Sequence, residues 1–116
     1  MSDLKKLTKK ILDFRSARNW KQFHTPKDLA LSLILEASEL AEHFQWKNEA
    51  EIIEHLKNHK SDIGEELADT LYWILLMAND FNIDIVKAFE QKMKKNAIKY
   101  PVKKAKGVHT KYTQLK

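Results

Sequence analysis

The sequence predicts an all-α protein, a bundle of four to five helices. Three observations carry this. Apolar residues recur at spacings of three and four along most of the chain. Only 2 Gly and 2 Pro occur in 116 residues, which leaves little material for the turns of an all-β fold. Hydrophobic residues make up 43%, enough to fold a modest core rather than stay disordered.

Each element has its own signal. Leu4, Leu7, Ile11 and Phe14 place one apolar stripe on a first helix over residues 3–19. Residues 19–25 break it. Thr25-Pro26 is a helix start, with Thr as N-cap, Pro in the first turn and Asp28 near the positive end. The second helix then runs from 26 to about 44. Residues 47–59 carry the weaker stripe of Ile52, Ile53 and Leu56 and predict a short helix and a connection. A third long helix covers 60–80. Asn82 or Asp84 can cap the last one, and Tyr100-Pro101 terminates it. The domain is therefore placed at 1–101. Residues 102–116 lack a clear period and read as a basic C-terminal arm or loose tail.

Charge and composition narrow the function. The net charge is +5 but unevenly spread. The acids stop at Glu90, and nine Lys follow from Lys92 onward. Residues 1–91 hold 12 basic against 16 acidic residues, a net of −4. Such a basic end suits nucleic acid, phosphate or plain solvation. With two Arg, Arg15 and Arg18, the chain is poor in the residue that reads bases. There is no Cys, so disulfides and thiolate metal sites are excluded. No apolar run approaches the ~18 residues of a membrane span, and the first residues, MSDLKKLTKK, do not resemble a signal peptide. A cytoplasmic protein with no membrane partner is expected. Its length and apolar content predict burial of part of a helical stripe against a second copy.

The chemistry is concentrated in two acidic pairs. At 100° per residue, Glu36 sits at the edge of the stripe made by Leu29, Leu33, Leu40 and Phe44, and Glu39 lies about 60° away. In the third long helix Glu66 and Asp69 repeat that i, i+3 spacing beside Ile63, Thr70, Trp73 and Met77. Glu42, His43 and Glu65 read as surface residues. Gly64, unfavourable in a helix, suggests a close backbone approach. If the two helices pack antiparallel, four carboxylates converge. Unpaired anions so close raise one another's pKa values, and divalent cations relieve this. Oxygen-only ligands suit Mg²⁺, with Mn²⁺ as a substitute, rather than Zn²⁺. A di-iron bundle would want Glu-x-x-His, and no Glu here has His three residues on.

Four segments in order resemble the MazG-type all-α nucleoside triphosphate pyrophosphohydrolases, in particular their dCTP pyrophosphatase branch. They are R-N-W-K-Q-F-H-T-P-K-D-L (18–29), E-A-S-E-L-A-E-H-F-Q-W (36–46), E-E-L-A-D (65–69) and K-M-K-K-N-A-I-K-Y-P (92–101). The resemblance implies a MazG-like bundle working as a homodimer or homotetramer. It implies splitting of a (deoxy)nucleoside triphosphate into the monophosphate and pyrophosphate, as in nucleotide-pool cleaning. Glu36, Glu39, Glu66 and Asp69 then fall on the catalytic Mg²⁺ ligands. Trp20, Trp46 and Trp73 fall at the base pocket and His24 in the matching loop. Lys92, Asn96 and Tyr100 fall where phosphates or sugar are contacted. Two positions depart from the dCTP-specific branch: Ile11 replaces a His and Trp73 replaces a Tyr. Both changes remove polar groups near the base and predict relaxed base discrimination. Two alternatives are a non-catalytic helical nucleotide sensor and a basic helical nucleic-acid-binding protein.

Overall fold

The structure, a computed structural model, describes residues 2–116. All its regular elements are helical; among the described residues there is no strand. The chain forms two compact units, one ending at Asn82 and one spanning Ile83–Lys116.

The first unit holds four α-helices. Helix α1 is Asp3–Ala17, capped by Ser2, whose side chain accepts from the Lys5 backbone N–H. A short 3₁₀ turn, Lys21–Phe23, fills the predicted break. Helix α2 is Pro26–Glu42, and Thr25 caps it by accepting from the Asp28 N–H. Helix α3 is Glu49–Asn58. Its start is a reciprocal capping box. Asn48 Oδ1 accepts from the Glu51 N–H at 2.9 Å, and Glu51 Oε1 accepts from the Asn48 N–H at 3.1 Å. Removing the cap with Asn48→Ala is expected to lower stability by about 1 kcal/mol. An unchanged thermal midpoint would contradict that role.

Helix α4, Lys60–Asp80, is the hub and packs on α1, α2 and α3. It supplies most of the core: Ile63, Leu75, Leu76 and Ala78, with Leu29 from α2. Each fully buried Leu contributes roughly 1.5–3 kcal/mol. The sequence reading expects a close backbone approach at Gly64, and among the described residues of the chain none is made. A Cβ built there meets nothing within 4 Å, because Gly64 lies on an exposed turn of α4.

A buried ion pair closes one end of this unit. Arg15, only 3% exposed, donates from Nη1 and Nη2 to the two Asp80 oxygens at 2.7 and 2.8 Å. Its backbone carbonyl also accepts from the Trp20 N–H at 3.2 Å. The pair thus ties the ends of α1 and α4 to the loop carrying Trp20 and His24.

Large apolar side chains remain exposed on all four of these helices. They include Leu31, Ile34 and Leu35 of α2 and Leu67 and Leu71 of α4.

The second unit begins with α5, Ile85–Lys99, capped by Asp84 accepting from the Lys87 N–H. Asn82, the other candidate cap, instead has φ 55°, a left-handed conformation that Asn tolerates just after α4. After Pro101 comes a single turn, α6, Val102–Ala105, then a 3₁₀ turn, Tyr112–Gln114. Tyr112 packs edge-on against Tyr100 with ring centroids 5.9 Å apart, and its N–H donates to Tyr100 Oη at 3.2 Å. Lys99 Nζ stands 4.7 Å from the Tyr112 ring centroid. The C-terminal arm is thus held by aromatic and cation–π contacts rather than by a periodic stripe.

Candidate active site

The site lies on facing stretches of α2 and α4. Glu36 shares a cavity with Asp69 and Trp73, whereas Glu39 shares another with Glu66. Residue numbers rise along α2 as they fall along α4, so the two helices run antiparallel, as the carboxylate pattern requires. One carboxylate oxygen from each of Glu36, Glu39 and Glu66 lies within 4.8 Å of the other two. Asp69 stands beside this trio on the Glu36 side.

These carboxylates fit a divalent cation. Glu36 Oε2 and Glu66 Oε2 are buried and accept no hydrogen bond. A buried anion without a partner is costly, and a cation removes that cost. Burial, followed by the charges of Glu39 and Asp69, pushes the Glu36 carboxyl above its ordinary pKa, with slight opposition from the neighbouring Trp73 indole. Burial and the neighbouring Glu39 carboxyl raise Glu66 in the same way. All the available ligand atoms are oxygens, the donor set of hard cations.

Next to Glu36 and Asp69 opens a cavity of about 430 Å³. Its walls are largely aromatic: Phe14, Trp20, Tyr72 and Trp73, with Ile11 and the Lys10 side chain. The rings meet edge to face. Phe14 lies 5.7 Å from Trp20 and 6.2 Å from Tyr72, and Tyr72 lies 5.0 Å from Trp73. Both positions that depart from the dCTP-specific pattern, Ile11 and Trp73, therefore sit in one wall. The sequence reading places Phe14 only in the apolar stripe of α1 and does not mark it or Tyr72 as part of the site. The signal for Tyr72 was present, since Asp69, Tyr72 and Trp73 are spaced i, i+3, i+4.

His24 lies behind this wall. Its ring packs edge-on to Trp73 at 5.6 Å, and its Nδ1 is 3.5 Å from Arg15 Nη1. Burial, then the Arg15 charge, holds its pKa below the usual value. Trp46 is placed differently from Trp20 and Trp73. It is 91% exposed, with φ 67°, and lies outside the aromatic cavity. That left-handed backbone is strained for a bulky residue. Lys92, Asn96 and Tyr100 belong to the second unit. Lys92 and Asn96 lie one turn apart on α5, and Tyr100 is its C-cap, donating its N–H to the Asn96 carbonyl at 2.9 Å.

One surface assignment is corrected. His43 is half-buried, and its Nδ1 lies 2.8 Å from His55 Nε2. The contact spans α3 and the end of α2, which periodicity on one helix cannot reveal. Glu42 is exposed, as expected, yet lines a cavity beside Glu39 and Glu66.

The MazG-like family model matches residues 31–115, a span that contains all four carboxylates. The chain belongs to the MazG-like family. Among curated proteins, this MazG-like chain is similar to dCTP pyrophosphatase 1 of Rattus norvegicus, 38% identical over 105 residues. It is 36% identical to dCTP pyrophosphatase 1 of Homo sapiens over the same length. Each match covers 89% of this chain and 62% of the relative, so the chain spans less than two thirds of their length. Among solved structures it is similar to a pyrophosphatase from Archaeoglobus fulgidus. The TM-score is 0.82 at 37% identity, covering 87% of this chain and 94% of that one. The resemblance carried by the four sequence segments is thus upheld at the level of family and fold.

Proposed function

We propose that this chain is a Mg²⁺-dependent nucleoside triphosphate pyrophosphohydrolase. It would convert a deoxynucleoside triphosphate, dCTP or a modified relative, to the monophosphate and pyrophosphate. Its cellular role would be nucleotide-pool cleaning in the cytoplasm. The observation that carries the reading is the trio of facing carboxylates, with two orphaned buried oxygens, beside an aromatic cavity.

Glu36, Glu39, Glu66 and Asp69 would hold the Mg²⁺, or Mn²⁺ in its place. When bound, such an ion supplies charge stabilisation to the phosphates and makes a water more acidic. The protein's own groups do the rest. Trp20 and Trp73 offer ring faces and edges against which a base can pack, while Ile11 and Phe14 exclude water there. The resemblance over 36–46 assigns Trp46 to the base site although it lies exposed outside the aromatic cavity, and His24 supports Trp73 from behind. Lys92, Asn96 and Tyr100 contact phosphate or sugar; the resemblance over 92–101 supports their assignment. Few polar groups face the base in this cavity, which favours broad base acceptance over strict dCTP selection.

The working form would be a homodimer or homotetramer. The exposed stripe of Leu31, Ile34 and Leu35 supports this reading. Light scattering during size-exclusion chromatography checks it; a clean monomer of 13.7 kDa would overturn it.

The test of the activity is pyrophosphate release from a panel of deoxynucleoside triphosphates with Mg²⁺. Turnover of several bases within about tenfold of one another is expected. Triphosphate binding with no turnover of any would leave a nucleotide sensor. Tight, steeply salt-dependent nucleic-acid binding that survives loss of Glu36 would favour the basic-tail reading instead.

A further inference from the structure

The carboxylate cluster has a cavity on each side. The aromatic one takes Glu36 and Asp69 into its wall. A second, of about 330 Å³, takes Glu39 and Glu66, and is otherwise lined by Glu42, His43, Lys47 and His55. This second space is polar and holds three side chains that can donate to an anion. Lys47 is half-buried just beyond α2. His43 and His55 stand with Nδ1 and Nε2 2.8 Å apart, a separation that calls for one proton between the two nitrogens. The neutral pair then has one outer ring nitrogen that donates. His59 stacks on the His55 ring at 4.2 Å and fixes its plane.

We propose that this cavity receives the β and γ phosphates and holds the leaving pyrophosphate through Lys47, His43 and His55. The inference rests on the pyrophosphohydrolase reading and deepens it. A nucleotide with its base among the aromatic rings brings its α phosphate to Glu36 and Asp69. The rest of the chain of phosphates then passes Glu39 and Glu66 into the polar cavity. Water splits the bond between the α and β phosphates, one taking the hydroxyl and the other the proton. The pyrophosphate so released is a polyanion. The carboxylates Glu39, Glu42 and Glu66 cannot hold it directly, whereas Lys47 supplies a charge-assisted donor and the imidazole pair an outer ring N–H. His43 and His55 would thus be binding residues for the product, distinct from the carboxylates.

Isothermal titration of inorganic pyrophosphate in Mg²⁺ buffer tests this directly. The proteins are wild type, Lys47→Met, and the double variant His43→Gln with His55→Gln, each checked for helicity by circular dichroism. Pyrophosphate affinity is expected to fall about tenfold or more in each variant. Affinity for a nucleoside monophosphate should stay within about twofold. Unchanged pyrophosphate affinity overturns the proposal, as does an equal loss for the monophosphate, which would mean the effect runs through Glu39. If the double variant does not fold, the Lys47→Met titration alone decides. Absence of triphosphate turnover in the wild type would sink the pyrophosphohydrolase reading, while the titration would still judge the cavity.

Discussion

Glu39→Ala is expected to lower Mg²⁺-dependent pyrophosphate release by about 10³-fold or more. Glu39 is the carboxylate shared between the two helices' acids. It touches the charge balance of both Glu36 and Glu66, whose carboxyls it helps push upward. Loss of one ligand removes several kcal/mol of charge stabilisation, and each factor of ten in rate is 1.36 kcal/mol. The same position gives a second readout that needs no substrate. Without metal, Glu39→Gln is expected to raise the thermal midpoint, because one repelling charge is gone. In wild type, Mg²⁺ should raise the midpoint by binding the folded state. In Glu39→Gln most of that rise should vanish. A variant that loses turnover but keeps the full Mg²⁺-induced shift would mean the ion sits elsewhere.

The second large effect concerns stability. Arg15→Met is expected to destabilise the first unit by about 3 kcal/mol, because it leaves Asp80 a largely buried anion whose remaining side-chain donor is Asn79. Asp80→Leu alone should cost a similar amount. Arg15→Met combined with Asp80→Leu should recover much of the loss, since neither charge is then stranded. Chemical denaturation of the four proteins closes the cycle; additive losses would show that the pair acts independently. The pH dependence has a definite sign. The Arg15 guanidinium, donating to Asp80, holds its carboxyl below the usual value. The pair's contribution is therefore present above the unfolded carboxyl pKa of about 3.9 and lost as pH falls through the lower folded value. Wild type should lose more stability in that acid range than the double variant does.

Much of this molecule is readable from local pattern. Thr25-Pro26 announces α2 because its capping needs only neighbours in the chain. The two i, i+3 acidic pairs point to a shared face because helix geometry alone aligns them. The antiparallel packing that brings Glu39 toward Glu66 is a condition those faces leave open, and the structure meets it. Other features depend on contacts between distant segments. Arg15 and Asp80 are 65 residues apart and carry no spacing that marks them as partners. His43 appears solvated on the wheel of α2 because its partner, His55, lies across a turn on α3. Tyr112 looks like part of a tail, since an edge-on ring contact with Tyr100 leaves no periodic trace. Gly64 invites a packing explanation from sequence, yet among the described residues nothing approaches it.

The most direct measurement is ³¹P NMR of a deoxynucleoside triphosphate incubated with the protein and Mg²⁺. Cleavage between the α and β phosphates gives the monophosphate and pyrophosphate in equal amounts, and adding chelator stops it. Release of a diphosphate with inorganic phosphate, or an unaltered triphosphate spectrum, would contradict the function proposed for the Glu36, Glu39 and Glu66 cluster.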